Sequence, residues 1–458
     1  MARPTGPAYR AARPDARRRA AAFGTVAGGA APESEPLATS DDDAAQPYRP
    51  VLRQLEPLDS SRGGFWQGSG RWLAAAAVIV VIALIAAAAF AIGGDDGGGD
   101  DDGGGPGSTA TSSATSATSG QPEGGSPAST GTTAPTYGPP FTIAFAGDSN
   151  GENLADAAMA QGMAQRLAPM TPLLSGADLA VANLETAVTE RGTPAPKAFT
   201  FRAPATILQG MQAAGIDVAS MANNHGMDFG TEGLQDSIAA KRTAPIKVIG
   251  IGAEENEAFG AAVVDVKGTK VAVIAATQVL DGNLQTLWTA TATQGGLASA
   301  KRVDRLVAEV RKAKAAGQVP IVFLHWGTER TTCPNPQQVQ LGQTLRDAGA
   351  AAVVGGHAHR VLSGGYLGDT YVDYGLGNFG FFAASGAASK TGVLTLTFDK
   401  GKVVKDVWAP GVIVNRSPQP LSGEAAASAL AEWNALRSCT NLTPTPAATG
   451  TTTTTAAP

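Results

Sequence analysis

Between residues 140 and 438 short apolar runs alternate with stretches of helical period. Strands are expected at Phe141–Ala146, Leu179–Asn183, Val218–Ala222, Val248–Ile251, Val271–Ala276, Ile321–His325, Ala351–Gly355 and Tyr371–Tyr374. A last pair, Val393–Phe398 and Val403–Trp408, is split by Asp399-Lys400-Gly401-Lys402 and reads as a hairpin. Helices are expected between them, at Asn153–Ala168, Pro204–Ala214, Thr231–Lys241, Ser299–Ala316 and Gln337–Ala348. Gly215, Gly317 and Gly349 follow three of these, where a helix C-cap favours glycine. Strand–helix alternation predicts an α/β layered fold, and about 300 residues are enough for one core.

The pattern changes outside this body. Residues 72–92 read WLAAAAVIVVIALIAAAAFAI, with no charge. Such a run spans about 30 Å as a helix, the thickness of a bilayer core. Arg62 and Arg71 precede it; Asp95, Asp96, Asp100, Asp101 and Asp102 follow. That asymmetry predicts a cytoplasmic N-terminus and an extracellular C-terminal domain. A signal peptide cut after Ala89-Phe90-Ala91 is the competing reading, but the long preceding segment favours an uncleaved single-pass anchor. Residues 1–71 hold ten Arg, no Lys and few large apolar side chains, so they read as a disordered cytoplasmic segment. Their acidic residues nearly balance the Arg, and the whole chain carries a net charge of −5, so no nucleic-acid partner is expected. Residues 93–139 are a Gly/Asp/Ser/Thr linker, and 439–458 a Thr/Pro-rich tail. Cys333 and Cys439 both fall in the expected exterior part; the sequence leaves open whether they pair.

The chain has four histidines, and all lie at or just beyond the ends of predicted strands. They occur in Asn223-Asn224-His225-Gly226, His325-Trp326-Gly327 and Gly356-His357-Ala358-His359. Neutral imidazole is the commonest metal ligand, and α/β folds build their sites at strand ends. Asp148 and Glu185 follow the first two strands, and each alone would read as a cap or a loop carboxylate. His357-x-His359 points to a metal if the loop curves enough for both rings to converge. Gly147-Asp148-Ser149-Asn150-Gly151 matches a nucleophile elbow, but no histidine here has Asp three residues before it to serve as partner.

Together these blocks resemble the CapA family of capsule synthesis proteins. The matching residues are Gly147-Asp148, Asn183-Leu184-Glu185, Asn223-Asn224-His225-x-x-Asp228-x-Gly230, His325-Trp326-Gly327-x-Glu329, Gly356-His357-x-His359 and Gly375-Leu376-Gly377-Asn378-Phe379. The family is in turn similar to calcineurin-like metallophosphoesterases. That resemblance implies a two-sheet α/β sandwich, preceded here by one transmembrane helix, with paired metals at the strand ends. It implies Asp148 and His359 as ligands of a first metal, Glu185 as the bridge, and Asn224, His325 and His357 on a second. His225 would face the substrate as the catalytic acid. Asn150, Asn183, Asp228, Glu329 and Asn378 would be supporting positions. Asn150 stands where the phosphoesterase pattern has His, and Glu185 where it has Asp. The donors suit one or two divalent ions, Mn, Zn, Fe or Mg.

Three functions fit. The first is a membrane-anchored extracellular protein that synthesises, exports or attaches a poly-γ-glutamate type envelope polymer by metal-assisted hydrolysis or transfer. The second is a non-catalytic polymer-binding assembly subunit. The third is an extracellular metallophosphoesterase. The implied partners are an anionic envelope polymer, the membrane and other capsule-synthesis membrane subunits.

Overall fold

The computed structural model describes residues 135–447. The predicted segments 1–71 and 72–92, and nearly all of 93–139, lie outside the described residues. Among the described residues no helix is long and apolar enough to cross a membrane.

Two mixed sheets form, most of their strands on the predicted apolar runs. Their strands are β1 (Phe141–Ser149), β2 (Leu179–Leu184), β3 (Val218–Ser220), β4 (Lys247–Ile249), β5 (Ala262–Val266), β6 (Thr269–Thr277), β7 (Val319–His325), β8 (Ala352–Gly356), β9 (Gly364–Leu367), β10 (Thr370–Asp373), β11 (Lys390–Asp399), β12 (Lys402–Val414) and β13 (Ser417–Pro420). The first sheet has seven strands in the order β13-β12-β11-β1-β2-β3-β4, and the second has six, β9-β10-β8-β7-β6-β5. The run β1 to β4 is parallel, and so is β6-β7-β8-β10. Parallel neighbours end together, so the carboxyl ends of β1 and β2 share one edge, as do those of β7 and β8.

Period-two alternation divides each strand between two cores. Phe141, Ile143 and Phe145 of β1 face Val271 and Val273 of β6 and Ile321 and Phe323 of β7, filling the space between the sheets. Ala144 and Ala146 point the other way, with Met159, Met163 and Leu167 of α1 (Met159–Leu167) in the same cluster. That cluster also takes in α2 (Ile207–Ala213) and α3 (Gly230–Thr243). On the far side, Val322 and Leu324 share a cluster with Leu306 and Val310 of α4 (Val303–Ala315) and Leu341 and Leu345 of α5 (Pro336–Ala348). The body is therefore helices, sheet, sheet, helices. Each fully buried Leu, Ile or Phe contributes about 1.5–3 kcal/mol to holding the layers together.

Several boundaries differ from expectation. The first helix starts at Met159 rather than Asn153, because Asn153 takes a left-handed φ of 61° that breaks helical continuity. Strands β5, β9 and β13 were not among the predicted runs, nor was helix α6 (Gly423–Ala435). In α6 only Trp433 is buried, so no apolar stripe announces it; its ring stacks on Trp408 with centroids 5.7 Å apart. The packed chain also runs past the predicted tail boundary at 439. Cys439 is bonded to Cys333, and Thr443 exchanges backbone hydrogen bonds with Tyr366 at 2.8 and 2.9 Å.

Candidate metal centre

Asp148 is the second-to-last residue of β1, held by hydrogen bonds from its own N–H to Gly377 O and from Phe379 N–H to its carbonyl. Glu185 follows β2 directly, and His325 is the last residue of β7. His357 and His359 lie just beyond β8 with φ of 93° and 50°. Left-handed backbone at both histidines curls the loop, so two rings that would oppose each other in a strand turn toward one pocket. Gly356 makes this possible: a Cβ there would collide with Asp148 Oδ1.

Two donor groups result, and Glu185 belongs to both. Glu185, His325 and His357 each place a donor atom within 4.8 Å of the others; so do Asp148, Glu185 and His359. Asn224 Oδ1 lies 2.7 Å from His325 Nε2, beside the first group. Thus all six residues singled out as metal ligands meet at one edge of the two sheets.

Their orientation is fixed from behind. Asn183 Nδ2 donates to Asp148 Oδ1 at 2.8 Å, and the His357 N–H donates to Asp148 Oδ2 at 3.0 Å. His359 Nδ1 lies 2.7 Å from Asn378 Oδ1, while Asn378 Nδ2 donates to Ala388 O. That oxygen can only accept, so Nδ1 of His359 is the donor and Nε2 is the nitrogen left to face a ligand. Asn223 is the buried turn residue of its Asn-Asn pair. Its Nδ2 donates to Asn183 Oδ1 and Leu184 O, and its Oδ1 accepts from the His225 N–H. Asn224 is left to face the pocket.

Glu185 is the electrostatic oddity. It is fully buried, and neither carboxylate oxygen has a hydrogen-bond partner. His325 Nε2 lies 3.5 Å from Oε1, and the nearest nitrogens of His225 and His359 lie 4.0 Å from it. Burial, followed by the proximity of Asp148, holds the Glu185 carboxyl well above its usual range. Burial also raises Asp148, against the opposing pull of His359 and the His357 N–H. The same burial drives His325 well below the usual imidazole range and pushes His357 down to about 3. Burial therefore works against an ion pair between His325 and Glu185. Neutral imidazoles around a carboxylate with no partner are a donor set that a divalent cation completes. The residues present fit a metal.

His225 stands beside the donors. Its Nδ1 lies 2.5 Å from Asp228 Oδ2, its Nε2 faces Glu185, and the Phe201 ring stacks on it with centroids 4.1 Å apart. Burial lowers its pKa, opposed by Asp228. The remaining expected positions divide. Asn183, Asp228 and Asn378 support the pocket as described. Asn150 makes no hydrogen bond to the six donors: its Oδ1 accepts from Glu152 N–H, its carbonyl accepts from Arg166, and its buried Nδ2 has no partner. Glu329 is exposed and, among the described residues, has no hydrogen bond or ion pair to the site; its charge is one of the smaller influences that raise the Glu185 carboxyl. Ser149 is buried with its Oγ accepting from the Gly380 N–H, so it is not displayed as a nucleophile.

Residues 142–382 match the family model described as bacterial capsule synthesis protein PGA_cap. The chain belongs to that family. Among relatives of this PGA_cap chain, the capsule biosynthesis protein CapA of Bacillus anthracis is 28% identical over 262 residues, covering 55% of this chain and 62% of that protein. A probable polyglutamine synthesis accessory protein of Mycobacterium tuberculosis is 30% identical over 189 residues, covering 40% and 50%. The PGA biosynthesis protein CapA of Bacillus subtilis is 26% identical over 213 residues, covering 46% and 55%. The chain thus spans less than two thirds of each relative. Among solved structures, a hypothetical protein from Thermus thermophilus aligns at 17% identity with a TM-score of 0.38, covering 59% of this chain and 98% of that one. Sulfate thiohydrolase SoxB from Thermus thermophilus aligns at 13% and 0.36, covering 66% and 61%. Both scores lie below 0.5, so the architecture rests on this chain's own sheets.

Two residues of the PGA_cap site escape sequence reasoning. Lys197 and Phe201 lie on the connection that arches from Thr189 back to Phe201, outside every signature block. The one signal was a lone Lys beside two Phe in Lys197-Ala-Phe-Thr-Phe201.

Proposed function

We propose that this PGA_cap chain is a membrane-anchored envelope protein that acts on an anionic capsule polymer of the poly-γ-glutamate type by metal-assisted hydrolysis or transfer. The body would stand outside the membrane, beside other capsule-synthesis subunits. The observation that carries the reading is Glu185, a buried carboxylate without a partner that belongs to both donor groups. One or two divalent ions are expected, and the mixture of carboxylate, amide and imidazole donors suits Mn²⁺.

Asp148 and His359 would hold one ion, Asn224, His325 and His357 the other, with Glu185 between. Bound there, the ions would lower the pKa of water and polarise the scissile group. The chain's own contribution is orientation and proton handling. Asp228 would hold the Nδ1–H of His225 and turn Nε2 to the pocket, where it would take the proton released by the attacking water and pass it to the leaving group. Phe201 covers the ring, and Phe381 lies 4.7 Å from the His359 ring, so an apolar wall limits water on that side.

A non-catalytic, polymer-binding role is the second reading. Asn150 supports it, since this residue replaces a metal-binding histidine of the phosphoesterase pattern and makes no hydrogen bond to the six donors.

Calorimetric titration of the stripped full chain with Mn²⁺, followed by assays on poly-γ-glutamate and an aryl phosphate, separates these. The expected result is metal uptake with turnover. His225→Ala should keep its metal and lose about 10²–10⁴-fold in rate, whereas His357→Ala should lose both. Wild-type protein that takes up no metal would sink the reading. Metal uptake without turnover on either substrate would favour the assembly role.

A further inference from the structure

Lys197 is nearly buried, with 8% of its side chain exposed. Its ammonium donates to the backbone carbonyl of Asn224 at 2.5 Å. It lies 3.0 Å from Asp228 Oδ1, off hydrogen-bond geometry but close enough for an ion pair, and 3.4 Å from Asp281 Oδ2. The Trp288 ring sits beneath it, 5.3 Å from ammonium to centroid. One cation therefore joins three stretches of chain: its own connection, the turn 224–228 that carries Asn224 and His225, and the segment 281–288.

The connection is tied to the same turn at two further points. The Ala195 N–H donates to Asp228 O at 2.8 Å, and the Phe201 N–H donates to Asp228 Oδ2 at 2.7 Å. Asp228 Oδ2 thus serves Phe201 and His225 together, while Oδ1 faces Lys197. A buried ammonium is costly unless its partners surround it, and here they come from separate segments. These partners stay satisfied only while all three segments hold their places.

We propose that Lys197 is a positioning residue that acts as an internal cation for the pocket. Through the Asn224 carbonyl it sets the peptide that aims the Asn224 amide at His325 and the His225 ring at Glu185. Through Asp228 it pins the connection whose Phe201 covers His225. The inference rests on the metal reading of the pocket, yet Lys197 itself touches none of the side-chain donors.

The test compares full-length Lys197→Met, which keeps the stem over Trp288 and deletes the charge, with Lys197→Arg. Mn²⁺ affinity is measured by calorimetry, and exchange of the Ala195 and Phe201 amides by hydrogen–deuterium exchange on metal-free protein. Lys197→Met is expected to bind Mn²⁺ about 10–100-fold more weakly. Its two amides should exchange faster than in wild type, and Lys197→Arg should lie closer to wild type in both measurements. A folded Lys197→Met with wild-type affinity and unchanged exchange would overturn the proposal. Should Lys197→Met fail to fold, wild type alone decides: saturation with Mn²⁺ should slow exchange at Ala195 and Phe201, and no change there refutes the coupling. If wild type takes up no Mn²⁺, the metal reading fails, and metal-free exchange in Lys197→Met and Lys197→Arg alone decides whether the tether exists.

Discussion

His357 and His359 spend backbone energy on their positions, since left-handed φ costs of order 1–3 kcal/mol per non-glycine residue and survives where the surroundings over-determine it. The His357 N–H bond to Asp148 and the His359–Asn378 contact supply that determination. Away from the pocket, Asp373 shows the same physics as a stability term. It ends β10 fully buried; Oδ1 accepts from the Gly375 N–H, Oδ2 has no partner, and burial pushes its carboxyl up to about 8. A raised folded-state pKa means that the native protein binds the extra proton. Its stabilising effect is complete below the unfolded pKa near 4 and is lost as pH rises toward 8, at up to about 1.4 kcal/mol per pH unit. Asp373→Asn keeps the shape without the ionisation. Its thermal midpoint should therefore fall less than that of wild type between pH 5 and 8. Parallel pH profiles for the two proteins would show that Asp373 titrates normally.

Among the elements, the C-terminal stretch is the one whose attachment is most open to experiment. Helix α6 buries little apart from Trp433, whose indole N–H donates to Leu362 O. The chain beyond it is held by the Thr443–Tyr366 pairing and by the Cys333–Cys439 bond, which spans 106 residues. Closing a loop of that size removes roughly 4–5 kcal/mol of unfolded-state entropy in the chain-entropy model. Replacing both cysteines with serine should lower the thermal midpoint by several degrees and expose the 436–447 stretch to proteolysis. An unaltered melting curve would mean that packing alone secures this end.

For the molecule as a whole, the proposal to be tested is a membrane anchor with the body outside. A disulfide within the body accords with an oxidising exterior, the side proposed from the Arg-before, Asp-after asymmetry around residues 72–92. On that topology, protease added to intact cells should digest the body and spare an N-terminal fragment carrying the Arg-rich segment. Protection of the body would overturn the assignment. The two sheets bear on function through their shared edge: β1 and β2 deliver Asp148 and Glu185, while β7 and β8 deliver His325 and the two histidines beyond.

The mixed α/β character of the body was legible because buried parallel strands demand nearly continuous apolar runs, as in Val319–Leu324, and helices between them carry their own period. The family was legible because its blocks pair unusual residue types in a set order. Edge strand β5 and helix α6 were not: β5 is a five-residue run with exposed Val263 and Asp265, and α6 is largely alanine with only Trp433 buried, so neither pattern marks a buried face. Nor was the role of Lys197, because its partners Asp228 and Asp281 lie 31 and 84 residues away in sequence and meet it only once the chain is packed. The same holds for the isolation of Glu185: a sequence displays a carboxylate, but only the packing of two sheets decides that no hydrogen-bond donor reaches it. Desolvation is a property of what surrounds a group in space, and that is settled by tertiary structure.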